Sequence, residues 1–195
     1  MQRPARWKVR LSVNIVSMTP FSSFLRAGGL ALAAALLLGA CSPDYNWREV
    51  RGKDAPFLVL LPGKPATHVR DIDLDGLRVS MSMTAAEVDG VTFAVGSAQV
   101  PGPEAVAPAL AAMRTALVRN IRGTVTQEKS LPAPAGAIAP VDIAARGTDR
   151  GGQPILLFAR FAARDTRVYQ AIVVGNEKAV VPETVDTFMT SFKLN

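Results

Sequence analysis

The apolar positions of the chain change period several times, and each change marks an element. Residues 27–40 (AGGLALAAALLLGA) carry no charged or strongly hydrogen-bonding side chain. From Phe57 onward the pattern shortens into strand-like runs. FLVLL is stopped by Pro62, Gly63 and Pro65, and then come HVRDIDL, LRVSMSMTAAEV and VTFAVGSAQV, parted by Asp75-Gly76 and Asp89-Gly90. Asp-Gly between alternating runs predicts a two-residue hairpin, because both central residues of a type I′ turn need positive φ. With a period of two, Val79, Met81 and Met83 share one face, and Ser80, Ser82 and Thr84 the other. Methionines on such a face read as packing, where a flexible thioether fills irregular space.

Pro101-Gly102-Pro103 breaks the alternation. Val106, Leu110, Met113, Leu117 and Ile121 then recur every three or four residues, the stripe of an amphipathic helix. Arg114, Arg119 and Arg122 lie off the stripe, where basic groups suit the negative end of the helix dipole, and Gly123 is expected to cap it. The second half returns to strands: TVTQEKSL, a proline-rich connection PAPAGAIAP, VDIAARGT, PILLFARFAA and VYQAIVVG. Pro182 opens a closing helix with Val185, Phe188, Met189 and Phe192 on one side. The expected class is α+β, a mainly antiparallel sheet of about 6–8 strands with two packed helices in one domain over 56–195. Residues 41–55 read as a polar tether, although Tyr45, Trp47 and Glu49 alternate as an edge strand would. Those two aromatics suit either a headgroup zone or an edge of the domain.

Charge changes the picture only at the front. The formal charge of +6 invites a nucleic-acid reading. Five of the 22 basic residues (Arg3, Arg6, Lys8, Arg10, Arg26) fall within residues 1–40, which hold no acidic residue; the remaining 17 face 16 acidic ones. The basic excess therefore belongs to a targeting segment, and no nucleic-acid partner is expected. At 49% hydrophobic and 19% charged, with one cysteine, the chain is no disordered tail, collagen-like fibre or disulfide scaffold. The apolar run of residues 27–40 is short of the roughly 20 residues of a membrane span and matches the core of a signal peptide. Met18 offers an internal start that shortens the leader.

Leu38-Gly39-Ala40-Cys41 resembles the bacterial lipobox, an aliphatic and two small residues before a cysteine. The resemblance implies a signal peptide over 1–40, cleavage before Cys41, thioether lipidation of its sulfur and acylation of the new amino terminus. Membrane lipid, reached through Cys41, is then one partner. Acyl chains bury methylenes at ~0.8 kcal/mol each, and several together make a stable anchor. Cys41 has no second thiol to pair with, which an exported chain otherwise leaves unexplained. Ser42 in the next position, where aspartate favours inner-membrane retention in Gram-negative lipoproteins, implies the outer membrane. The entry FLVLLPGKP, one long amphipathic helix and a closing helix ending in SFKL resemble the Mog1/PsbP-like α/β/α sandwich. That resemblance covers about residues 57–194 and implies a non-enzymatic binding or assembly module; for a lipoprotein of the envelope, an envelope protein is the expected partner.

Motifs for chemistry are sparse. His68 is the lone histidine, no serine stands in G-x-S-x-G, and Gly63-Lys64-Pro65 lacks the upstream glycine of a phosphate loop. No catalytic, cofactor or metal residue is assigned. Asp71-Ile72-Asp73-Leu74-Asp75-Gly76 matches the opening of an EF-hand loop, but the twelfth position is Ser82 rather than a bidentate Glu. Ile72 and Leu74 alternate with the acids, so a strand ending in a hairpin is the favoured reading over a weak calcium loop. A non-catalytic envelope module is the leading expectation. The alternative is an envelope hydrolase using carboxylates such as Glu87 or Asp142. Cys41 supplies the first test: Cys41→Ser is expected to abolish acyl mass and leave an uncleaved or differently cleaved chain, read by intact mass of membrane-extracted protein.

Overall fold

Alternation along the strands builds one large sheet, and a computed structural model shows it for the described residues, 45–133 and 137–195. The leader, the lipobox and Cys41 lie outside those residues. The strands in chain order are β1 (Arg48–Arg51), β2 (Phe57–Leu61), β3 (Ala66–Leu74), β4 (Leu77–Val88), β5 (Val91–Gln99), β6 (Thr124–Ser130), β7 (Val141–Thr148), β8 (Pro154–Arg164), β9 (Arg167–Asn176) and β10 (Lys193–Leu194). A 3₁₀ turn at Pro103–Ala105 leads into helix α1 (Val106–Asn120), and helix α2 (Pro182–Ser191) precedes β10. Seven strands pair in the order β3-β4-β5-β9-β8-β7-β6, antiparallel throughout, and β1-β2-β10 form a second, antiparallel sheet. The class is α+β, as the patterning predicts.

Turn chemistry sets the registers. Asp75 and Gly76 take φ of 57° and 91°, and Asp89 and Gly90 take 51° and 74°, so both Asp-Gly pairs make the predicted tight hairpins. Asp165 turns with φ 53° between the closing pair Arg164 and Arg167.

Each face of the large sheet has its own apolar layer. Val79, Met81, Ile143, Ala145, Leu157, Ala159, Phe161 and Ile172 face Val106, Ala109 and Met113 of α1. Leu110 and Leu117 flank that stripe half-buried. On the other face Phe93, Val95, Tyr169, Ala171 and Val173 meet Phe57, Val59 and Leu61 of β2, together with Val185, Phe188 and Phe192. Phe188 lies edge-on to Phe93, their centroids 5.6 Å apart. The segments FLVLL and SFKL meet here: β10 pairs β2, Leu60 N–H donates to Ser191 Oγ at 2.9 Å, and Ser191 Oγ donates to Phe188 O.

Two expectations are corrected. The polar stretch expected as a tether belongs to the domain from Tyr45 on: Arg48–Arg51 pairs β2, and Asn46 N–H donates to Pro62 O. Tyr45 stacks on Trp47, and both rings meet Phe93 edge-on. The aromatics cover the second core from just ahead of β1, and of the alternating residues only Glu49 lies in the strand itself. The second correction is at the end of α1. Arg122, not Gly123, takes the left-handed conformation, with φ 48°. Arg122 N–H donates to Arg119 O and Gly123 N–H to Val118 O, a Schellman closure. Gly123 is needed for space, because a Cβ there would lie 2.7 Å from Arg146 O.

Phe188 is fully buried between β2 and the large sheet. Phe188→Ala is expected to cost about 3–5 kcal/mol, seen as a lower urea midpoint at unchanged slope.

Candidate functional site

The sequence candidates for chemistry fall far apart. His68 stands exposed on the edge strand β3, opposite Met83 on the α1 face. Glu87 is exposed near the Asp89-Gly90 turn, opposite Thr92. It lies four residues beyond Met83, which at about 3.4 Å per residue puts it roughly 14 Å along the strand from His68's partner. Asp142 lies on β7, five strand positions from β3 and on the opposite face. At about 4.8 Å per strand that separation is on the order of 24 Å. The structure does not bring these three together. Asp71 and Asp73 lie on β3 and Asp75 begins its hairpin, so the run is a strand and turn as favoured; Asp73 Oδ1 accepts from Gly76 N–H at 2.6 Å. Among the described residues no three His, Cys, Asp or Glu gather to hold a metal.

Of the helix arginines, Arg114 pairs with Glu128 of β6, through Nη1 at 3.0 Å and Nη2 at 2.5 Å. Arg122 reaches Asp149 O, and Arg119 is exposed.

Concave surface collects instead at one end of the large sheet, where strands of unequal length leave a step. β7 begins at Val141, opposite Phe161, whereas β8 runs on to Arg164. Residues 162–164 therefore have no strand on that side. Residues 131–133 and 137–140, the described parts of the β6–β7 loop, border the step, with Leu131 N–H donating to Pro140 O at 2.8 Å. Between this loop, the start of α1 and the C-terminal segment opens a cleft of about 990 Å³. Its walls are mostly apolar: Leu131, Ile138, Pro140, Val106, Phe192 and Leu194, over a floor of Ala162 and Ala163. Ile138 is among the few large apolar side chains exposed in the described residues. Arg160 and Arg164 add charge to the same wall.

Arg160 is fully engaged. Its Nε and Nη2 hold the Asp142 carboxylate at 2.7 and 2.8 Å, and Nη1 donates to Met189 O at 2.9 Å. One side chain thus ties β7, β8 and the last turn of α2 together. The helix has no basic residue in that turn, and Arg160 supplies the cation from the sheet. Asp142 is thereby an ion-pair partner on a structural bracket.

A second cleft, of about 410 Å³, lies on the other side of the β8–β9 turn and shares Arg164 and Asp165 with the first. Gln99, Arg167, Tyr169 and Asn195 line it. The Tyr169 ring is fully buried, and its hydroxyl is without a hydrogen-bond partner among the described residues. Burial pushes that hydroxyl's pKa up, Arg167 and Arg164 pull it down and Asp165 adds to the rise, leaving it raised and the hydroxyl a donor at neutral pH.

Neither Arg160, Arg164 nor Tyr169 stands in a chemical motif, and motif reading passes over them. A geometric signal was present. Arg160 and Arg164 are four apart on one strand, and Arg164 and Arg167 bracket a two-residue turn, which places all three on one face with Tyr169. Compared with known proteins, the chain matches no family model, and no curated sequence matches it significantly.

Replacing Arg160 leaves Asp142 partly buried and uncompensated and frees the Met189 carbonyl. Arg160→Ala is expected to destabilise by about 1–2 kcal/mol, allowing for partial exposure of the pair, with Asp142→Ala/Arg160→Ala less than additive. Chemical denaturation of the four proteins of the cycle measures it.

Proposed function

We propose that the chain is a membrane-anchored lipoprotein whose α+β domain is a non-catalytic binding or assembly module of the cell envelope. Acylated Cys41 holds it to lipid, Ser42 directs it to the outer membrane, and the domain faces the periplasm. Its partner is an envelope protein. The observation that carries this reading is the apolar cleft at the sheet end, walled by Leu131, Ile138, Phe192 and Leu194. A concave apolar surface bordered by a few oriented polar groups is the usual form of a recognition site. Layers of α1, large sheet, and small sheet with α2 support the Mog1/PsbP-like reading of the domain.

The reading separates two sets of variants. Ile138→Asp, on the exposed cleft wall, is expected to abolish complementation of a gene deletion while the protein stays folded in the outer-membrane fraction. His68→Ala and Glu87→Gln, at exposed positions that do not line the cleft, are expected to complement fully. The opposite pattern would replace the module with a carboxylate-dependent enzyme.

A further inference from the structure

The turn between β8 and β9 places like charges where a sheet ordinarily avoids them. Arg164 and Arg167 are direct cross-strand partners, an unfavourable arrangement unless something of opposite sign offsets it. The only carboxylate in the turn is Asp165, and it forms no ion pair with either arginine. Among the described residues both guanidinium groups are without a salt-bridge partner, as are Arg48, Arg70, Arg78, Arg119, Arg122 and Arg150; what sets Arg164 and Arg167 apart is that they face each other across the ladder. Gln99 extends the row, opposite Arg167 on β5, and its amide is fixed by donating to Thr166 O. Two residues along β9 on the same face comes Tyr169, which borders the same cleft but is fully buried, its unpartnered hydroxyl closed off beneath the cleft surface.

A buried hydroxyl without a partner is destabilising, and two facing arginines add repulsion. Both features occur within one polar cleft, and one ligand removes both: an oxyanion between the guanidinium groups, accepting from the tyrosine. Arginine forks match the oxygens of carboxylate or phosphate, and a donor held at the floor fixes the anion's depth. We infer that the cleft bounded by Arg164, Arg167 and Tyr169 is a binding site for an oxyanion, a phosphate or carboxylate group. The ligand is either a small free anion or the head of an amphiphile, since Arg164 also borders the apolar cleft. The inference rests on the polar cleft and is independent of what occupies the apolar one.

The test is calorimetric titration of the full-length protein in non-ionic detergent, at fixed ionic strength, with inorganic phosphate, acetate and hexyl phosphate. Saturable binding of phosphate or acetate is expected. Arg164→Gln/Arg167→Gln should remove it, and Tyr169→Phe should weaken it about tenfold, the loss of one hydrogen bond to a charged group. Arg119→Gln, an exposed arginine outside the cleft, should leave it unchanged. Hexyl phosphate binding more tightly than phosphate would identify an amphiphile head, and equal affinity a free anion; both support the site. No saturable binding, binding that survives the double arginine variant, or an unchanged affinity in Tyr169→Phe would overturn it. Tyr169→Phe keeps the ring in the core, so that result is readable even where the double variant is less stable.

Discussion

Strands β5 and β9 are covered on both faces, and that constraint organises the domain. Phe93, Val95, Tyr169, Ala171 and Val173 point into one core, while Ala98, Val168 and Ile172 point into the other. Strands buried on both sides require two independent apolar layers. One is the helix that follows β5 directly in the chain. The other is assembled from both ends of the described sequence: β2 near the start, α2 and β10 near the finish. The pairing of β10 with β2 and the Leu60–Ser191 hydrogen bond close that second layer. Tyr45 and Trp47 extend it over Phe93.

How far the fold was legible follows from which interactions are local. The Asp-Gly hairpins were read from two residues each, because positive φ at both turn positions is a local demand. The α1 stripe was read from its period, and only Ala109, too small to signal burial, was missing from the buried set. What escaped was non-local. Pairing between β5 and β9 spans the whole of α1, β6, β7 and β8, and no short pattern announces it. The segment at 48–51 was ambiguous because its four residues are mostly polar, and only the neighbouring β2 makes them a strand. At α1's end, glycine drew the expectation of positive φ, whereas Arg122 took it and Gly123 answered a steric demand from β7.

The site was less legible than the fold for the same reason. His68, Glu87 and Asp142 were candidates by residue type, and type says nothing of distance; the sheet sets them on separate strands. The arginines that do converge were visible only as a face relationship across a turn. A period of two puts Arg160 with Arg164, and the register of a two-residue turn puts Arg164 against Arg167. Tyr169 gave no signal of its own, since an aromatic in VYQAIVVG reads as core, and its ring is core. The missing hydrogen bond belongs to the tertiary structure alone.

The three arginines of that face divide by their surroundings. Arg160 sits where three backbone elements meet, with a carboxylate and a helix-end carbonyl placed to take its donors. Its charge is spent on architecture, and the bracket it forms holds the wall of the apolar cleft in place. Four residues further along β8, Arg164 stands where β7 has ended, and Arg167 on β9 lies between Arg164 and Gln99. The same step in strand length that opens the apolar cleft leaves Arg164 without a β7 neighbour. The apolar walls and Arg164 thus meet where β7 ends early, whereas the exposed acids of β3 lie at the far edge of the same sheet.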